Sequence, residues 1–422
     1  MKCEHAKCDS FYLCLPLEFG LGSKNSFAIS SFYECKGKKT MTHFKISDPR
    51  GLLRTTRRDF VKSTAVIAAA AATGVAGMGT ALADDKVLNL LCWPGHGDPA
   101  FVKPFEDKYG VKVVAKEYVG GEPMLALMNQ SPPGTFDVVL ADAEYIHMLQ
   151  DGNLIEALNP ADFPLADYWP EFQHFPLHWV GDKLYSVLIR FGYLGMAYRS
   201  DVLTSDDVKS YKALWNPKVK GKVGFFDWYL PTMGCLSLYD GNKPPFDIAD
   251  PAFIKLKKTL FSLKPQESGF YSMADQFAML TNGSAAVIPG VGDWVVLLLQ
   301  KSGVPVDAVV PEEGGIQWTE SMSIVSTSTK KDLAKAFIQY ASSPEGQFRS
   351  ARLPSYWASI PNKKGWEMMI KEAPVDAVKL RHTFDKRNVM DEYKDGKIFI
   401  RQTPVKQNIE AWNDAWSEFK AM

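Results

Sequence analysis

His174 and His178 stand four residues apart, a spacing that on a helix would present two imidazoles to one zinc ion. Pro176 lies between them and argues against the regular helix this requires, so no metal site is expected there. The chain holds neither a G-x-S-x-G elbow for an activated serine nor a G-x-x-x-x-G-K-[ST] phosphate loop, and Gly120-Gly121 is too short for a dinucleotide cradle. Basic residues do not interleave with aromatics as a nucleic-acid groove requires. Four of the six cysteines (Cys3, Cys8, Cys14, Cys35) fall in the first fifty residues without a C-x-x-C pair, and Cys92 and Cys235 are expected as two free, partly buried thiols, although pairing is not readable from spacing. No catalytic group, cofactor or metal is therefore expected. Asp142 and Glu144 open a helix, where acids cap and complement the dipole. Arg190 could fork onto a carboxylate of a ligand or pair with an acid of the protein, and the second is the expectation.

The elements that would carry these residues alternate. Short apolar runs at 87–91, 111–118 and 136–140 read as strands, with helices at 101–109, around 124–128, and at 143–150 between or after them. After an irregular, Pro- and aromatic-rich stretch at 160–182, strands are predicted at 185–198, 221–226, 285–288, 306–310 and 321–325. Helices follow at 254–263, 294–300, 331–341 and 404–419. Strands separated by helices imply β-α-β units and mostly parallel sheets. With 422 residues, more than one domain is expected.

The first part of the chain is set apart by composition. Residues 1–83 hold 12 basic and 6 acidic side chains, whereas the formal net charge of the whole is zero, so the remainder is mildly acidic. Thr55-Thr56-Arg57-Arg58-Asp59-Phe60-Val61-Lys62 precedes an Ala-rich run at 65–76, and Ala81-Leu82-Ala83 precedes Asp84-Asp85. A basic region, a short apolar region and an A-x-A site make a secretory signal, and the Arg-Arg-x-Phe-Val-Lys core resembles a twin-arginine export motif. The apolar run is too short and interrupted for a membrane span. Residues 1–83 are thus a leader; residues 1–50 exceed a normal signal and suggest that translation starts later, at Met41 for instance.

From residue 86 to 362 the chain resembles the spermidine/putrescine-binding branch of the periplasmic solute-binding proteins. The resemblance rests on Trp93 after the first strand, Phe136-Asp137-Val138-Val139, Ala213-Leu214-Trp215-Asn216-Pro217-Lys218-Val219-Lys220-Gly221-Lys222, and Pro361-Asn362. It rests further on Pro311-Glu312-Glu313-Gly314-Gly315-Ile316-Gln317-Trp318-Thr319-Glu320-Ser321, all in the family's order. The resemblance implies an α/β, two-lobed periplasmic-binding-protein fold, each lobe a mostly parallel sheet flanked by helices, with a ligand cleft between them. Crossings near residues 190–192, 320 and 359 would make lobe 1 of 84–190 plus 320–358, and lobe 2 of 191–319 plus 359–422.

The family holds polyamines between aromatic walls and carboxylates. A cation over an indole face gains about 0.5–2 kcal/mol, and a carboxylate adds charge-assisted hydrogen bonds. Trp93 and Trp318 match aromatic positions of the family, and Glu320 stands in an amine-binding Asp slot. Asp142, Glu144, Asp227 and Trp228 complete the expected ligand-binding set. The slot after Trp93 holds Pro94-Gly95-His96 instead of an acid, so the implied ligand widens from spermidine to amines at large, quaternary ammonium compounds and amino-acid derivatives. The implied function is that of a monomeric periplasmic receptor that delivers a small, amine-bearing solute to an ABC permease in the inner membrane, without nucleic-acid partners. The alternative is an exported hydrolase or oxidoreductase.

Overall fold

The computed structural model describes residues 86–422, together with the backbone of an antiparallel strand pair, Ala28–Cys35 with Lys38–Lys45. The chain divides into two compact units, Met1–Thr80 and Ala81–Met422. The twin-arginine motif, the Ala-rich run and the A-x-A site lie outside the described residues. Among the described residues no helix is long and apolar enough to cross a membrane.

The second unit is organised by a ten-stranded sheet. Its strands are β1 (Val87–Cys92), β2 (Lys112–Glu117), β3 (Val138–Ala141), β4 (Val187–Arg199) and β5 (Val223–Phe226). They continue with β6 (Glu267–Tyr271), β7 (Val287–Gly292), β8 (Val306–Val309), β9 (Gly315–Ile324) and β10 (Ile398–Ile400). The order is β6-β5-β7-β4-β9-β3-β1-β2, with β8 also beside β4 and β10 beside β9. Both ends of the sheet are parallel: β6, β5 and β7 on one side, β3, β1 and β2 on the other. The two long central strands, β4 and β9, run antiparallel to each other and to their neighbours β7, β8 and β3, so the two parallel ends are stitched into one sheet.

The parallel units form where the sequence supplies their punctuation. Asp98 caps the helix Pro99–Tyr109 by accepting from the Ala100 amide, Pro99 fits its first turn, and Gly110 closes it at φ 64°. Several elements escape sequence reasoning. The helix Tyr229–Tyr239 is buried along all but its last residue, so it has no polar face and no 3.6-residue period to read. Strand β9 begins at Gly315 rather than near 321, because its first half alternates large polar and apolar side chains that are all buried. The short strand β10 and the helix Met273–Asn282 were also not expected. Cys92 and Cys235 are buried and free.

Register places the central chemistry. Glu320 lies opposite Arg190 and Trp318 opposite Gly192, with a bulge immediately after Glu320. Residues two apart on a strand share a face, so Arg190, Gly192, Trp318 and Glu320 stand together. A third segment joins there: Phe191 and Ser359 exchange both backbone hydrogen bonds at 2.9 Å. Gly192 makes room for the indole, since a Cβ at that position would sit 2.6 Å from Trp318 Nε1. Gly192→Ala should therefore push the Trp318 ring aside and cost about 1–3 kcal/mol, the range for overpacking. Urea unfolding and tryptophan fluorescence check this; unchanged stability with an unshifted emission spectrum would show that the ring has free space after all.

Candidate functional site

Several strands end on one cavity. Trp93 follows β1, Asp142 follows β3, Trp228 follows β5 and Arg401 follows β10, each just past the carboxyl end of a parallel strand, where open α/β sheets place their ligands. Gly290 of β7 and Trp318 and Glu320 of β9 complete the floor, and Tyr356 enters from the loop between the helices Pro344–Ser350 and Lys363–Glu372. The cavity, counted to its open mouth, is about 420 Å³.

Its wall is a chain of aromatic contacts. Trp93 meets Trp228 at 6.0 Å between centroids, Trp228 meets Phe226 at 6.2 Å, and Phe226 meets Trp294 at 6.3 Å. Trp294 meets Tyr356 at 5.9 Å and Tyr356 meets Trp318 at 6.4 Å. All five pairs are tilted or edge-on, the arrangements that quadrupoles favour, and they leave π-faces available to a guest.

The charges form two buried groups. Glu320 accepts from Arg190 Nε at 2.7 Å on Oε2, has His96 Nε2 3.0 Å from the same oxygen, and takes the Tyr356 hydroxyl on Oε1. Arg190 also donates to the carbonyls of Ser350 at 2.8 Å and Tyr356 at 3.3 Å, with its plane over the Tyr356 ring at 4.4 Å. Burial alone would push the Glu320 carboxyl up, but the Arg190 and His96 charges and hydrogen bonds override it and hold it at about 2. In the second group, Arg401 lies over the Trp228 ring at 4.7 Å, donates through Nε to Glu144 at 2.5 Å, and brings Nη2 within 2.7 Å of Asp142. Asp142 also accepts from Trp93 Nε1 at 3.1 Å. Burial pushes Asp142 well above the usual carboxylate range and raises Glu144, against the pull of Arg401; the Glu144 charge adds to the rise at Asp142, and the Glu122 charge to that at Glu144.

Trp93, Asp142, Trp228, Trp318 and Glu320 thus line one cavity. Glu144 stands behind it, orienting Arg401 and lining a separate pocket. Asp227 is not brought to it: the side chain is exposed and pairs with Lys420 at 2.5 Å, because the strand that ends at Phe226 sends consecutive residues to opposite sides. Glu320 reaches the cavity with both oxygens already engaged by protein groups, which differs from an open amine socket. Arg190 has the protein acid expected of it. His178 bonds to Ser321 Oγ at 2.8 Å, and burial lowers its pKa to about 3. Arg401 was missed by sequence reasoning, since its strand is three residues long and gives almost no periodic signal.

Comparison with known proteins adds the following. The family profile described as bacterial extracellular solute-binding protein matches residues 100–366, more than half of the chain. The spermidine/putrescine-binding periplasmic protein of Escherichia coli K12 is 24% identical over 314 residues, covering 71% of this chain and 85% of its own. A gamma-aminobutyric acid-binding protein of Pseudomonas aeruginosa is 28% identical over 295 residues, covering 65% and 77%. Among solved structures, a putative spermidine/putrescine ABC transporter protein from Listeria monocytogenes superposes with a TM-score of 0.68 at 21% identity, over 79% of this chain and 99% of its own. The fold is therefore that of the two-lobed periplasmic binding proteins.

The engagement of Glu320 has a measurable cost. Glu320→Gln leaves the buried Arg190 without its counter-charge, and breaking one partner of such a pair costs about 3–5 kcal/mol. Because the folded pKa of about 2 lies below the ordinary 4.5, the stability Glu320 provides is complete above 4.5 and lost as pH falls toward 2. The gap between wild type and variant in urea unfolding should be full at neutral pH and narrow through that window. A gap that widens with acid would contradict the assignment.

Proposed function

This chain belongs to the bacterial extracellular solute-binding protein family, and on that footing we propose that it is the solute receptor of an ABC importer, working in the periplasm on a small amine-bearing ligand. The observation that carries the reading is the cavity itself: an aromatic wall around Asp142, which shares a single guanidinium with Glu144. Asp142 and Glu144 share one cation, so a ligand ammonium would meet a carboxyl that it can hydrogen-bond and draw into its charged form, and the indole faces suit the same charge. The names of relatives that bind spermidine, putrescine or gamma-aminobutyric acid support an amine.

The ligand-binding set of this proposal is Trp93, Asp142, Trp228, Trp318 and Glu320, joined by Arg401 and Tyr356, with Glu144 as a positioning residue. The lobes are 84–190 plus 320–358, and 191–319 plus 359–422. Strands β4 and β9 and the Phe191–Ser359 bridge would be the crossings about which the lobes close. Arg57-Arg58 would direct export and Asp84 would begin the mature chain. A family of solute binders favours binding without chemistry over an exported enzyme.

Calorimetry and thermal shift on the exported protein test the reading, using polyamines, betaines, opines and amino acids. A hundredfold excess over Kd should stabilise by about 2.7 kcal/mol. Trp318→Ala, which removes one π-face, should weaken the amine that binds by roughly two- to thirtyfold, from the ~0.5–2 kcal/mol of a cation–π contact. If no amine binds, or if an anion without nitrogen binds best, the amine reading fails.

A further inference from the structure

Each buried carboxyl group at the cavity has a guanidinium of the chain beside it: Glu320 has Arg190, and Asp142 and Glu144 have Arg401. The two arginines are not equivalent. Arg190 divides its donors between its acid and two backbone carbonyls, and it is not one of the residues that line the cavity. Arg401 does line it, and the polar contacts of its side chain among the described residues are the two carboxyls alone, with the Trp228 ring 4.7 Å away. Two acids and an indole face are also the set that would hold a guest ammonium. The guanidinium thus stands where such a guest would stand. Its backbone is fixed there, because β10 runs parallel to β9 and the Arg401 amide donates to the Gln317 carbonyl at 2.9 Å, one residue before Trp318.

We propose that Arg401 is a specificity-determining residue: a cation built into the chain that occupies the place of a ligand's second ammonium, so that the cavity takes one cationic nitrogen and refuses dications. This rests on the amine-receptor reading above and adds what the cavity excludes. The charges set the limit. With all of them ionised, the buried acids Asp142, Glu144 and Glu320 face the buried Arg190 and Arg401, and with His96 neutral one negative charge is left to be matched. Glu122, the next acid outward, is only half-buried and takes the hydroxyls of Tyr145 and Tyr229, so water screens it. One cationic nitrogen closes the balance. A second would be desolvated beside Arg401 without a counter-charge, a repulsive element that discriminates against diamines.

The test is calorimetry on the exported protein with pairs in which a methyl group replaces the second ammonium: putrescine against pentylamine, and cadaverine against hexylamine. In the wild type the monoamine should bind tenfold or more tightly than its diamine. Arg401→Gln removes the built-in charge and should narrow that ratio tenfold or reverse it, by strengthening the diamine. Arg401→Lys keeps the charge with a different shape and should keep the preference, which a purely structural role would not require. A diamine that binds the wild type as tightly as its monoamine overturns the inference and leaves the amine receptor standing. So does a ratio that Arg401→Gln leaves unchanged, or an Arg401→Lys variant that behaves like Arg401→Gln. If Arg401→Gln does not fold, the wild-type ratio and its retention in Arg401→Lys decide. Binding of no amine at all, in these pairs or in the wider panel above, overturns both.

Discussion

Arg190 and Glu320 face each other across β4 and β9 with almost no access to water, and the geometry of the site follows from their having to satisfy one another. A guanidinium buried in this way needs acceptors on every edge it can reach. Through Nε and Nη1 Arg190 finds them on β9, on Ser350 and on the Tyr356 carbonyl, while Nη2 has no hydrogen-bond partner, so one side chain fastens three stretches of chain that are remote in sequence. Trp318 sits two residues before Glu320 and Tyr356 donates to it, so two aromatic walls are positioned by the same carboxylate. The pair is a structural fastening first; its contribution to a ligand comes through the walls it orients.

The fold was legible where side chains obey a period. The alternation of β1 to β3 with their helices follows from apolar runs and caps, and the order of motifs around residues 93, 136–139 and 311–321 pointed to the family. Legibility failed where burial is complete on all sides, as in Tyr229–Tyr239, and where buried polar residues interrupt a strand, as in β9. The site divides in the same way. Trp93, Trp228 and Trp318 were readable because they follow or occupy strands recognisable in sequence. Arg401 was not, because its role depends on a three-residue strand docking beside β9. Glu320 lines the cavity, but its partners His96 and Tyr356 come from loops far away in the chain, and no local pattern encodes that convergence.

The two buried charge groups work by opposite logic. At Glu320 the Arg190 charge and the hydrogen bonds it receives outweigh burial, and its acidity is strengthened. At Asp142 and Glu144 burial outweighs the pull of the one guanidinium they share, and their acidity is weakened. A carboxylate held by a fixed guanidinium gives rigidity; two acids sharing one guanidinium keep a site responsive to a charged guest. Glu320 and Asp142 both line the cavity, with Glu144 behind it, so a fixed frame and an adjustable carboxyl stand side by side.

Arg401 reaches Glu144 across 257 positions of sequence. During synthesis, everything up to β9 can be made while the acids after β3 still lack their cation, and the pocket is finished only when the last short strand has left the ribosome. Contacts of such long range slow folding, because the loop must close before the contact repays it. The acids after β3 can therefore acquire their cation only after β9 and the helices that follow it have been made.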